Sequence, residues 1–185
     1  MGAGALSGLT IDFELKKDNV NNYLGQNWYD IWNKMDTGGI GFVKADFAAN
    51  WISENVENFD GFFKPMIGSD GKLKMKVFTR AFAHVTLRDG THSNTNVYDY
   101  EWRRLLRYMV LMNELSLLCG ELEAEDKTLN KEDFKKACTA LFQGIDDPTL
   151  EKAFKNIDDL GGNKWANDLI GFDEFCHYAF CVMDA

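Results

Sequence analysis

Apolar residues recur along the chain at helical spacing, and short glycine-bearing turns interrupt them. Trp28, Ile31, Trp32 and Met35 have the i, i+3, i+4, i+7 spacing of one helix face. The longest stretch runs from about Tyr98 to Cys119 and carries a broad apolar face. The stripes of the other stretches are Phe47, Trp51 and Ile52; Val77, Phe78, Ala81 and Phe82; Phe134, Ala137, Cys138 and Leu141; Leu150, Phe154 and Ile157; Phe175, Tyr178 and Ala179. The pattern predicts an all-α fold.

The helical stretches group into four helix–loop–helix units, arranged as two paired lobes of one compact domain. The predicted organisation is an N-terminal segment, 1–17, then a first pair, 18–88, with loops near 36–47 and 66–77. A polar, turn-rich linker follows at 89–97. The second pair spans 98–185, with loops near 121–133 and 158–174. Strand signals are limited to one or two hydrophobic residues inside each loop.

The four breaks resemble EF-hand loops. Such a loop has twelve residues, with oxygen ligands at positions 1, 3, 5, 7 and 9, glycine at 6 and a bidentate Glu at 12. An aliphatic residue at position 8 pairs with the partner loop in a two-stranded ribbon. In "MDTGGIGFVKADF" the alignment puts Asp36 at 1, Gly41 at 6 and Val43 at 8, but Gly38 and Ile40 supply no side-chain oxygen. The first loop is therefore not expected to bind calcium tightly.

The second and third loops keep the spacing of the resemblance and lose most of its ligands. "MIGSDGKLKMKVF" has Gly71 at position 6 and Leu73 at 8, with Met66 at 1 and Val77 at 12. We expect this loop to bind no ion. "LEAEDKTLNKEDF" has Leu129 at 8 and Asp133 at 12. Its other positions include Leu122 at 1, Ala124 at 3 and Lys127 at 6. A solvated acidic turn is the expected form of the third loop.

The fourth loop, in "IDDLGGNKWANDLIGFDEF", is the best candidate for a calcium site. It alone ends in Glu, at Glu174, and Ile170 stands at position 8 of the twelve-residue alignment. That alignment puts Trp165 where an oxygen ligand belongs, whereas a longer loop from Asp158 offers more oxygens. The candidate metal ligands are Asp158, Asp159, Asn163, Asp168 and Glu174.

Within the EF-hand superfamily, the chain resembles the sarcoplasmic calcium-binding proteins and calexcitins, and also the flagellar calcium-binding proteins of kinetoplastids. The stretches "YEWRRLLRYMVLMNELSLLCGELE" and "DDPTLEKAFKNIDD", and the later "GFDEFCHYAF", carry the second likeness by order and spacing. The resemblance implies calcium buffering or sensing, with Ca²⁺ as the only candidate cofactor. A cilium or flagellum is the location that the flagellar likeness suggests, beside the cytoplasmic location expected from the cysteine pattern and the lack of a signal peptide.

Charge and composition exclude some partners. The net charge is −9, from 29 acids and 20 bases, which argues against a nucleic-acid partner because phosphate backbones are bound by clustered Lys and Arg. No apolar run reaches membrane-spanning length. Gly2 has a poor myristoylation context, because Leu6 stands where Ser or Thr is preferred, so membrane association is not expected. The 4 Cys lack CxxC spacing and are expected to be buried thiols.

Three functions remain open at this point. The first is a calcium-binding regulatory protein with mostly degenerate loops and at most one weak Ca²⁺. The second is a calcium-independent structural or protein-interaction module of the same fold, acting as a monomer or within an assembly with an unknown protein partner. The third is a binder of hydrophobic small molecules of the coelenterazine-binding type, suggested by 5 Trp, 14 Phe and 6 Tyr. No catalytic constellation stands out, so the chain is not expected to be an enzyme.

Overall fold

The part of the chain that the structure describes contains seven α-helices, two short strands and two 3₁₀ helices, at Phe59–Gly61 and Lys64–Met66. A computed structural model describes residues 13–89, 95–124, 128–141, 145–158 and 168–184. The all-α prediction is confirmed in its coarse form, since the described residues are mostly helical. The elements are α1 Phe13–Met35, β1 Phe42–Lys44, α2 Ala45–Glu54, α3 Met75–Asp89, β2 Asn96–Tyr98, α4 Asp99–Ala124, α5 Lys131–Leu141, α6 Asp147–Asp158 and α7 Phe172–Asp184. None of the described helices is both long and apolar enough to cross a membrane.

The chain divides into two compact units within α4. The N-terminal unit comprises Asn19–Glu114, and the C-terminal unit contains Leu115–Ala185 together with the start of α1. This division differs from the predicted one, which placed a linker at 89–97. Because α4 runs without a break from Asp99 to Ala124, the polar stretch that precedes it does not separate the units.

The N-terminal unit is organised around the ribbon that β1 and β2 form. The strands are antiparallel, and Phe42 faces Tyr98 while Val43 faces Val97. Both valines are buried, so the ribbon turns one face towards the core. The sequence predicted that the loops near 36–47 and 66–77 would form a ribbon with each other, and the structure differs. The loop near 36–47 instead pairs with residues that the sequence assigns to the linker.

The core of the N-terminal unit is built from the predicted apolar stripes. Packing of these side chains is the main source of stability for amphipathic helices in a folded domain. Apart from Trp28, which is partly exposed, the stripe residues of α1 and α4 lie inward, as helical periodicity requires. Fully or almost fully buried stripe residues are Ile31, Trp32, Ile52, Phe78, Trp102, Leu105, Leu106, Met109 and Met112. Three residues outside the predicted stripes, Leu24, Phe63 and Val85, are buried with them.

The C-terminal unit has a shorter link between its two loops. Leu129 and Ile170 form an isolated antiparallel bridge, with N···O distances of 2.7 and 2.9 Å for its two hydrogen bonds. These two residues are the ones that the sequence places at position 8 of the third and fourth loops. Both are buried. The bridge therefore joins the N-terminal ends of α5 and α7.

Candidate functional site

The first loop is closed by the carboxylate of Asp36, which follows the last residue of α1. Its two oxygens accept hydrogen bonds from the amides of Ile40, at 3.3 Å, and Gly41, at 2.9 Å. Gly39 and Gly41 have φ of 61° and 81°, which a side chain would strain. Asp36 is buried, and its carboxylate satisfies the amides of a tight turn. Asp36, the residue predicted as the first calcium ligand of this loop, therefore accepts hydrogen bonds from backbone amides of the turn.

Glu101 is a buried carboxylate that the sequence interpretation missed. It lies in the first turn of α4, is 0% exposed, and accepts a hydrogen bond from the Tyr98 amide at 3.2 Å. Glu174 has the same relation to its own strand residue, because it accepts the Gly171 amide at 2.7 Å. The available signal was spacing. Glu101 follows Val97 by four residues, just as Glu174 follows Ile170.

The second predicted loop is a closed turn held by its own hydrogen bonds. Ile67 and Leu73 form an antiparallel bridge, and the Gly68 amide donates to the Lys72 carbonyl at 2.8 Å. Asp70 is turned inward along the loop, where its carboxylate accepts the Lys72 amide at 3.1 Å. The Leu73 amide donates to the Ser53 hydroxyl at 2.9 Å. The turn is thus completed by protein groups, without the oxygen cage that an ion requires.

Lys74 supplies a positive charge beside this turn. Its ammonium donates to the Pro65 carbonyl and to Asn113 Oδ1, both at 2.9 Å. Asn113 lies on α4 and is only 2% exposed. The Lys74 side chain therefore ties the turn to the central helix of the unit. Sequence spacing gave no sign of this contact, because 39 residues separate the two partners.

Replacing Lys74 with Met should lower the free energy of unfolding by about 1–3 kcal/mol. The reason is that the buried Asn113 oxygen loses its donor while water has little access to it. Urea unfolding followed by circular dichroism measures the change. Lys72→Met is the matched control, since Lys72 is exposed and takes part in the turn through its backbone. Equal losses in the two variants would show that the tie to Asn113 has no energetic role.

The described part of the fourth loop brings two predicted ligands into one hydrogen-bonded contact. Asp158, the last residue of α6, is buried and accepts the amide of Asp168 at 3.0 Å. Asp168 is exposed and has φ of 58°, a left-handed conformation that Asp tolerates better than most residues. Glu174 caps the start of α7. Asp159 and Asn163 lie outside the described residues.

The described donors do not amount to a calcium cage. Calcium takes six to eight oxygens at once. Within the described ranges, no three His, Cys, Asp or Glu side chains gather closely enough to hold a metal ion. Asp158 and Glu174 each use one carboxylate oxygen to accept a hydrogen bond from a backbone amide.

Charged side chains join α5 to α6 in the C-terminal unit. Lys131 and Lys135 each approach Glu151 at 3.1 Å, and Lys135 also lies 3.6 Å from Asp147. The hydrogen bonds from Lys131 and Lys135 lower the pKa of Glu151. The hydrogen bond to Glu151 raises the pKa of Lys135. Because these side chains are at least partly exposed to solvent, their ion pairs add little to the free energy of unfolding and mainly help to orient α5 against α6.

Aromatic rings fill the interior between α5, α6 and α7. The Phe134 ring contacts those of Phe154, Phe175 and Tyr178, with centroid distances of 5.6, 5.9 and 5.5 Å. Burial raises the pKa of Tyr178 to about 12, with a smaller contribution from Cys138. Cys138 and Cys176 are buried and form no disulfide. These four rings therefore pack against each other in the described part of the unit.

An aromatic strip lies on the outer face of the β1–β2 ribbon and continues into α4; it comprises the partly exposed Phe42 and Tyr98 and the exposed Tyr100. The Phe42 and Tyr98 rings lie 5.9 Å apart, and those of Tyr98 and Tyr100 stack at 5.4 Å with an interplanar angle of 17°. Tyr100 is 59% exposed, whereas Val43 and Val97 on the opposite face are buried. Rigid aromatic side chains on a surface are typical of protein-binding sites.

Comparison with known proteins adds no relative to this description. No family model, no curated protein and no solved structure matches the chain.

Proposed function

We propose that the chain is an EF-hand-like interaction protein whose N-terminal unit keeps its shape without calcium. The support is that carboxylates in the loops are engaged by backbone amides. Asp36 accepts two of them, and Glu101, Asp158 and Glu174 each accept one. A loop whose amides are satisfied by its own carboxylates needs no ion to close. The proposed role is to hold a partner protein, with no catalytic activity.

The four proposed helix–loop–helix units are defined by the observed strand pairs and so differ from those predicted from the sequence. The units are α1 with α2, α3 with α4, α4 with α5, and α6 with α7. In this arrangement α4 serves as the second helix of one unit and the first helix of the next. Val43 pairs with Val97 and Leu129 with Ile170, which is the position-8 pairing expected of two EF-hand pairs. The turn at 66–77 then becomes a connection between units.

The aromatic strip on the outer ribbon face supports the interaction role. Tyr and Phe bury large areas on binding and lose few rotamers when they do so. Phe42 and Tyr98 lie on a ribbon whose other face is fixed by buried Val43 and Val97, and Tyr100 stacks on Tyr98 from the first turn of α4. A rigid base of this kind holds the strip ready for a partner.

The fourth loop is proposed to hold at most one calcium ion, and weakly. Its candidate ligands remain Asp158, Asp159, Asn163, Asp168 and Glu174. Each carboxylate oxygen can accept more than one bond, so the contacts to Asp168 and Gly171 leave room for a cation. Without a full set of charged ligands, we expect a dissociation constant of about 10⁻⁴ M or weaker.

Calorimetric titration of metal-free protein with calcium, in excess magnesium, tests the proposal. We expect at most one weak binding event, lost in Glu174→Gln and kept in the control Glu132→Gln, which changes an exposed Glu of the same unit. Amide NMR signals of Gly41 and Tyr98 should not move with calcium. Tight binding, or calcium-dependent shifts at these two amides, would contradict a calcium-independent N-terminal unit.

A further inference from the structure

Three consecutive residues between α2 and α3 adopt a left-handed turn. Phe59, Asp60 and Gly61 have φ of 58°, 54° and 72°. The Phe62 amide closes the turn by donating to the Phe59 carbonyl at 3.0 Å. Residues with a side chain adopt this conformation singly, if at all, because Cβ approaches the following carbonyl. The turn is thus a strained segment that its surroundings must hold in place.

Two side chains of α1 hold the turn. The Tyr23 hydroxyl donates to the Phe59 carbonyl at 2.6 Å, and the Lys34 ammonium lies 4.9 Å from the centroid of the Phe59 ring. The Phe59 ring also contacts those of Trp51, at 5.8 Å, and Phe63, at 6.2 Å. The strain is therefore opposed by one hydrogen bond, one cation–π contact and two ring contacts.

The same turn covers part of the core. Phe63 is fully buried, and the Phe62 ring lies 5.2 Å from it. Phe62 is in turn stacked on Tyr23, at 5.0 Å with an interplanar angle of 8°. Phe59 and Phe62 remain partly exposed. They lie over Phe63, with Tyr23 as their common support.

We propose that residues 59–62 form a strap that opens and closes over Phe63. Strain at Phe59 and Asp60 favours opening, whereas the contacts with Tyr23, Lys34 and Trp51 favour closure. Opening exposes the Phe63 ring to solvent, and closure covers it again with Phe59 and Phe62. The device uses no loop carboxylate, so it goes beyond the proposed function and does not depend on it.

Hydrogen exchange of the Phe62 amide, measured by NMR, tests the strap. Tyr23→Phe removes the hydroxyl that holds the Phe59 carbonyl and keeps the ring that stacks on Phe62. We expect exchange of the Phe62 amide to become roughly two- to tenfold faster. Tyr29→Phe is the matched control, because Tyr29 lies on the same helix, is 58% exposed and packs on Trp28. It should leave the rate within twofold.

A second variant tests the strain. Asp60→Gly removes the side chain that opposes the left-handed conformation, so we expect exchange of the Phe62 amide to slow by about threefold or more. The buried Val85 amide, in α3, reports global unfolding of the same unit. The proposal is overturned if Tyr23→Phe acts no differently from Tyr29→Phe, or if Asp60→Gly speeds exchange. It is also overturned if Tyr23→Phe accelerates the Val85 and Phe62 amides equally.

Discussion

Replacing Phe134 with Ala should lower the free energy of unfolding of the C-terminal unit by about 3–5 kcal/mol. Phe134 is fully buried on α5, and its ring is enclosed by Phe154, Phe175 and Tyr178. Its removal loses the transfer free energy of the ring and leaves a cavity that three rigid rings cannot fill. It also removes ring contacts that α5 makes with both α6 and α7.

Urea unfolding of the two variants Phe134→Ala and Leu117→Ala gives a direct comparison. Leu117 belongs to the same unit and is 57% exposed, so its truncation should cost less than about 0.5 kcal/mol. Phe134→Leu should fall between the two, because it keeps part of the apolar volume. A loss below about 1 kcal/mol for Phe134→Ala would mean that these rings do not form the core of this unit.

The sequence predicts the helices and their inward faces well, because burial follows local periodicity. The stripe Trp102, Leu105, Leu106 and Met109 is fully buried, as a period of 3.6 residues requires. The exception is α2. Phe47 is 47% exposed, and Ala48 and Ala49 are buried in its place. In the first turn of α2 the large apolar side chain, Phe47, therefore does not mark the face that is buried.

The pairing of the loops could not be predicted from local pattern. Residues 89–97 contain polar, turn-forming side chains typical of a linker, and Val97 is the single apolar side chain in this stretch of the sequence. Strand pairing depends on a partner more than 50 residues away, at Val43. The continuous α4 places the ribbon residues directly before a buried Glu101. The Val97–Glu101 spacing was the only local signal of this arrangement.

In the candidate site, too, local spacing predicted some of the residues and missed others. Sequence spacing identified Asp36, Asp158 and Glu174 as carboxylates at loop ends, and the structure places each of them on backbone amides. It did not identify Lys74, whose partners Pro65 and Asn113 come from other segments. Local spacing thus indicates which residues lie in a loop, whereas tertiary contacts decide which groups close it.

Raising the pH above about 10 should destabilise the C-terminal unit through Tyr178. Burial raises the pKa of its hydroxyl to about 12, against about 10 in an unfolded chain. The folded state therefore disfavours the phenolate. The corresponding stability is fully present below about pH 10 and is lost as the pH rises through about 12. Two pKa units correspond to at most about 2.7 kcal/mol, and solvent reaching the partly exposed ring makes the loss smaller.

Urea unfolding across this pH range, with phenolate absorbance read on the same samples, measures the effect. Tyr178→Phe should remove the alkaline loss that belongs to this residue, although its hydroxyl contacts are lost at neutral pH as well. Tyr29→Phe should keep the alkaline loss, since Tyr29 is exposed and lies in the other unit. Tyr23 also has a raised pKa, through burial and the nearby Asp60, so a smaller loss should persist in Tyr178→Phe. An unchanged alkaline profile in Tyr178→Phe would place the Tyr178 hydroxyl in solvent rather than against the aromatic core.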